Sequence, residues 1–129
     1  MTRFLRFSIV GTAGMAVQLM VIWVLTDWLR IPAWIATAAG VGAAVLHNYA
    51  WHRAWTWRDR ARATSIVEEF LRFAGANGLV SLAGNVAVVS ALTSAAHLGA
   101  APASVAAIAL CSLANFWLAG CLVFARGRR

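Results

Sequence analysis

Residues 73–125 form a run of 53 positions without one Asp, Glu, Lys or Arg. Taken as helix, the run is too long for one crossing of a bilayer core, which takes about 20 residues at about 1.5 Å rise each. It suits two crossings joined by a turn, and His97-Leu98-Gly99-Ala100-Ala101-Pro102 supplies the turn. Two more charge-free stretches, 7–26 and 31–52, precede it. The chain is therefore expected to carry four transmembrane helices, near 5–27, 32–53, 70–95 and 102–124. With 62% hydrophobic and 12% charged residues among 129, against about 25% charged in a soluble domain, no separate soluble catalytic domain is expected. Transmembrane strands alternate apolar and polar residues over about ten positions, whereas these runs are apolar on both parities. The fold class expected is an all-α integral membrane protein, a single membrane domain over 1–129. The short positive start, residues 1–6, resembles the head of a signal peptide. The apolar stretch behind it exceeds a typical signal core and no clear small-x-small cleavage site precedes Asp27, so it is read as a retained first span.

All 11 basic residues are arginine, and ten of them fall at the two termini or in the middle loop, leaving only Arg30 on the opposite side. This bias predicts that both termini and the 54–69 loop are cytoplasmic. The net charge of +7 then reads as topology and contact with anionic lipid headgroups rather than nucleic-acid binding, and the basic loop also suits a partner enzyme. Trp28 and Trp34 flank the first connection while Trp51, Trp55 and Trp57 gather at the other boundary, as interface belts do. Cys111 and Cys121 lie ten residues apart on one helix, about 15 Å by the rise and beyond disulfide reach, and read as packing residues.

The chain contains an internal repeat. Phe4-Leu5-Arg6-Phe7 recurs as Phe70-Leu71-Arg72-Phe73, offset by 66; Leu25-Thr26 recurs as Leu92-Thr93, Asn48-Tyr49 as Asn115-Phe116, and Trp57 as Phe124, all offset by 67. In order and within the same helix–turn–helix hydropathy, these matches predict a duplicated two-helix unit, repeat one over 3–57 and repeat two over 69–124. An even number of spans per unit makes the repeats parallel, related by an axis along the membrane normal. Pro32 and Pro102 each open the second helix of a unit, where a missing N–H costs nothing.

Polar residues inside the spans carry the most information, because lipid cannot satisfy them. Ala36, Gly40, Ala44, Asn48 and His52 form one narrow stripe; Ala103, Ala107, Cys111, Asn115 and Ala119 repeat it. Asn77, Ser81 and Asn85 make a similar stripe whose first-repeat counterparts are Val10, Gly14 and Gln18. Two readings stand. Small residues let helices approach and each interhelical amide hydrogen bond contributes about 0.6 kcal/mol; alternatively the faces line a groove for a polar group, with Asn48, Asn115, Gln18 and Asn85 along it. Arg6, Arg53 and Arg72 lie near the basic side, where arginine either snorkels to headgroups or grips a phosphate through its planar fork. His47 and His52 read as packing or interfacial residues, since no Cys, His or carboxylate set has metal-ligand spacing with them. No Asp or Glu lies in the interior of a span, which argues against a proton-coupled drug antiporter. No nucleophile–base pair, phosphate loop or metal set is present, so no enzyme, metal or cofactor is expected.

Arg6-Phe7 followed by Gly11, Pro32, and His47-Asn48-Tyr49 leading through Arg53-Ala54-Trp55-Thr56-Trp57, with the second Phe70-Leu71-Arg72-Phe73 copy, resemble the GtrA-like family over nearly the whole chain. Position 18, often acidic in that family, is Gln here, and Gly120 stands where the second repeat often has an arginine matching Arg53. The resemblance implies a four-span protein of the bacterial inner membrane that moves a polyprenyl-phosphate-linked sugar from the cytoplasmic to the outer leaflet for cell-surface polysaccharide glycosylation. The headgroup is expected to be recruited by Arg53 with Asn48 and Asn115. Four short helices can hardly enclose a sugar, so a homo-oligomer is expected. The alternatives are a non-transporting membrane anchor for a polyprenyl-phosphate glycosyltransferase and a small drug or metabolite exporter.

Overall fold

The computed structural model describes residues 2–60, 65–97 and 100–124, and every described element is helical. Arg62, Arg126, Arg128, Arg129, Leu98 and Gly99, on which the topology and the second turn were read, lie outside the described residues, as does the Trp34 side chain. The protein is an all-α membrane protein of two compact units, 1–59 and 60–129.

In the first unit, α1 (Arg3–Trp23) continues through a π-helical turn, Val24–Trp28, and α2 (Ala33–Trp51) through another, His52–Thr56. Thr2 caps α1 by accepting from the Leu5 N–H, and Pro32 stands at the N-cap of α2, where no donor is needed. The connection closes on Arg30, whose φ of 55° is left-handed, with the Ile31 N–H donating to the Leu25 carbonyl at 2.9 Å. Glycine is the usual residue at such a helix end. The two helices run antiparallel in close contact. A Cβ on Gly40 would come within 2.9 Å of the Gln18 carbonyl and 2.8 Å of Ile22 Cγ1, and one on Gly14 would overlap the Asn48 carboxamide. The face that α1 buries is Phe7, Val10 and Gly14, and α2 buries Ala36, Gly40, Ala44 and Tyr49, with His52 buried in the π turn that follows. The four-residue stripe read in α2 is thus its packing face, apart from half-buried Asn48. Leu19, Met20, Leu46 and Trp51, by contrast, are open, as residues facing lipid are.

In the second unit, α3 (Ile66–Leu79), a π-helical turn (Val80–Gly84) and α4 (Asn85–Ser94) make one helical rod, and α5 (Ala100–Leu118) ends in the π-helical turn Ala119–Val123. Ser65 caps α3 by accepting from the Glu68 N–H, so helix begins at Ile66, inside the segment read as loop, just as helix persists to Thr56 at the end of the first unit. A capping serine with two carboxylates in the first turn accounts for the early start. Pro102 falls in the first turn of α5 rather than at its opening residue. Gly84 faces α5, where an added Cβ would meet Cys111 Sγ at 2.8 Å. Cys111 is buried and Cys121 exposed, both as free thiols.

The internal features of the two hairpins recur at the repeat offset. Arg30 and His97 are both left-handed; Thr26 and Thr93 each return a hydroxyl to the carbonyl four residues back. The π turns His52–Thr56 and Ala119–Val123 are offset by 67, and each is closed by the following aromatic N–H, Trp57 to His52 O at 2.9 Å and Phe124 to Ala119 O at 2.8 Å.

Candidate functional site

The open end of the first hairpin, opposite its turn, holds a cation on an aromatic face. Arg6 lies on α1 beside Phe7, and its guanidinium carbon is 5.7 Å from the centre of the Trp55 ring. Its Nη1 donates to the Trp55 carbonyl at 3.4 Å, while its buried Nε has no hydrogen-bond partner among the described residues. The π turn bearing Trp55 is fixed from beneath. Phe7 stacks on His52 with centroids 4.5 Å apart and planes 6° from parallel, and Trp57 meets both rings edge-on. His52 Nδ1 lies 3.1 Å from Thr56 Oγ1. Half-buried Arg53 follows His52 in this turn. Arg3 and Asp59 form an exposed ion pair at the same end.

Asn48 lies one turn of α2 before His52, seated where Gly14 leaves room, with His47 Nδ1 3.2 Å from its Oδ1. Gln18 is one turn of α1 beyond Gly14, about 6 Å along the axis, at the level of Gly40 rather than of Asn48. Gln18 is therefore not part of the Asn48 level.

In the second hairpin, Asn115 Nδ2 donates to Ser81 Oγ at 3.1 Å, and Asn85 Nδ2 donates to the Ser81 carbonyl at 2.7 Å. Asn85 and Asn115 are thus gathered on one residue, the counterpart of Gly14. Arg72 is exposed and paired with Glu68 one turn back on α3. The cation that meets the π turn here is Arg60, whose Nη1 donates to the carbonyls of Gly120 at 2.6 Å and Phe124 at 2.8 Å. Phe73 and Phe124 pack with centroids 6.2 Å apart.

Sequence reasoning missed four participants. Arg60 was counted only toward topology, although the last carbonyls of a helix need donors from somewhere. Trp55 and Trp57 were assigned to an interface belt; Trp55 carries Arg6, and Trp57 is 1% exposed, a core residue. Glu69, read as a loop flank, is 2% exposed in the first turn of α3. The signal available for Trp57 was its repeat partner, since an aromatic kept at 57 and 124 fits packing better than a belt.

The family model described as GtrA/DPMS, transmembrane domain, matches residues 6–124. The chain belongs to this family. The matched segment of the GtrA/DPMS domain begins at Arg6 and ends at Phe124, the residues that close the open ends of the two hairpins. A dolichol-phosphate mannosyltransferase of Pyrococcus furiosus is 37% identical over 71 residues, which are 55% of this chain and 20% of that protein. The chain thus spans about a fifth of the length of that curated relative.

Proposed function

We propose that this GtrA/DPMS domain carries a polyprenyl-phosphate-linked sugar from the cytoplasmic to the outer leaflet of the cytoplasmic membrane, with both termini and the 54–69 loop on the cytoplasmic side. The observation that carries the reading is Arg6 at the open end of the first hairpin. Its guanidinium is oriented by one carbonyl and one ring, and no protein acceptor among the described residues takes its Nη2, which is left for a phosphate. Arginine presents such donors as a planar fork, and its charge offsets that of the ligand where water is scarce. Arg53, in the turn that carries Trp55, is the second phosphate-binding residue, and Asn48 the first polar residue beyond it. The prenyl tail stays in lipid while the small and polar helix faces replace part of the hydration the headgroup loses. Use of the product on the far side drives net movement.

A second reading is favoured by one observation. The relative is itself named as a mannosyltransferase, of which the matched segment is a fifth. On this reading the domain anchors and orients a polyprenyl-phosphate glycosyltransferase and moves nothing. Vesicles reconstituted with the chain alone and a labelled polyprenyl-phosphate sugar separate the two. Accelerated exposure of label to an outside reagent is expected, and its absence despite tight association with a glycosyltransferase would leave the anchor. In the same vesicles, Arg53→Ala should slow exposure about tenfold relative to Arg128→Ala, the loss of one charge-assisted contact, with Arg53→Lys intermediate. Equal rates for wild type and Arg53→Ala would assign Arg53 to headgroup snorkelling.

A further inference from the structure

The first-hairpin asparagine has a histidine beside its carboxamide that the second hairpin lacks. Asn48 Oδ1 has His47 Nδ1 at 3.2 Å; at the repeat offset, Asn115 is preceded by Ala114. Asn115 Oδ1 is buried and has no hydrogen-bond partner among the described residues, while its Nδ2 is taken by Ser81 Oγ. Turning the carboxamide over exchanges its two ends but still leaves one of them without a partner. Inside a membrane span such an atom is costly, because lipid offers it nothing.

Asn115 does not stand alone. Ser81 and Asn85 flank it on the opposite rod, at the π-helical turn Val80–Gly84 near the middle of the 66–94 helix. The first hairpin has no such turn at this level, since residues 13–17 lie in unbroken α1. Wide turns of this kind are rare and gather at functional sites. The cluster offers carboxamide and hydroxyl groups, donors and acceptors together, and no charge. An anion would be repelled by a carbonyl oxygen, whereas a hydroxyl group, itself donor and acceptor, matches the set.

We propose that Ser81, Asn85 and Asn115 form a membrane-embedded station for sugar hydroxyl groups, served by residues other than the arginines that hold the phosphate. The proposal rests on the lipid-linked-sugar reading above and divides its headgroup into two parts with different chemistry. Asn115 Oδ1 accepts from a sugar hydroxyl, and the Ser81–Asn115 bond aligns it.

The test compares two lipid probes in vesicles holding the full chain, polyprenyl phosphate and polyprenyl-phosphate mannose. Wild type should bind the mannosylated lipid more tightly. Asn115→Ala should lose about fivefold to tenfold of that preference, one or two neutral hydrogen bonds, with binding of polyprenyl phosphate changed less than about twofold. Gly84→Ala crowds the same hairpin against Cys111 Sγ but leaves Ser81, Asn85 and Asn115 in place, so it should lower the melting temperature while keeping the preference. Unchanged preference in Asn115→Ala, or losses in both variants that follow their melting temperatures, would make the cluster a packing link or the seat of a water only. No preference in wild type would overturn the station while leaving the phosphate reading intact. Binding of neither probe would overturn that parent reading, and the station with it.

Discussion

At the open end of the first hairpin, Arg6 reaches the π turn His52–Thr56 through a single 3.4 Å bond and lies over Trp55. At the open end of the second, Arg60 meets the equivalent turn, Ala119–Val123, with two short bonds from one nitrogen to two carbonyls. Arg72, the repeat counterpart of Arg6, faces away and pairs with Glu68, and Gly120 occupies the position of Arg53. A duplicated hairpin has kept its left-handed turn residue and its wide final turn, but not the wide turn of its first helix, and its arginines differ in their partners. One end holds a guanidinium that the proposed function assigns to a phosphate. The other uses its guanidinium to finish a helix.

The comparison can be broken first at the helix contacts. Gly40→Ala drives a methyl against a backbone carbonyl, which cannot swing aside, and should destabilise the protein by about 2 kcal/mol. Gly84→Ala meets only a thiol and should cost less than about 1 kcal/mol. Unfolding of each variant in mixed detergent measures the difference, and the reverse order would mean that the first hairpin is the looser one. The next effect belongs to the arginines. Arg60→Ala should lower stability by about 2 kcal/mol through the loss of charge-assisted bonds to carbonyls, whereas Arg6→Ala should lower it by less than about 1 kcal/mol, the worth of an accessible cation–π contact. Equal unfolding midpoints would erase the distinction drawn between structural and ligand-facing arginine. The smallest effect concerns what the hairpins share. Arg30→Gly and His97→Gly each relieve a left-handed non-glycine residue and should each raise stability by about 1 kcal/mol. A gain at one position alone would show that the two turns are not equivalent.

Much of the fold was legible because lipid leaves a chain few choices. Charge-free runs of the right length gave the helical segments to within a few residues at most ends, and the recurrence of Asn48 as Asn115 pointed to the two levels at which amides cross between helices. The π turns left no trace in the apolar pattern, since one extra residue per turn shifts few side chains in a run that is apolar all round. Arg60 was illegible for a different reason. Its partners are backbone carbonyls 60 and 64 residues away, and such acceptors carry no residue type to recognise. Gln18 and Asn85 were paired by offset alone, and their surroundings differ: Asn85 serves the carbonyl of Ser81, while Gln18 lies beside Gly40, a level away from Asn48. The serine that replaces Gly14 serves Asn115 instead, and its consequence depends on a hydroxyl position that only the folded hairpin supplies.

The repeat-equivalent arginines offer the most direct test of this division. Vesicles containing wild type, Arg6→Ala or Arg72→Ala at matched protein content are loaded with a labelled polyprenyl-phosphate sugar, and its appearance on the far leaflet is timed. Arg6→Ala is expected to slow the appearance about tenfold, the loss of one charge-assisted phosphate contact, and Arg72→Ala, which breaks only an exposed ion pair, less than about twofold. Equal slowing by the two variants, or none by either, would contradict the assignment of the phosphate to the first hairpin.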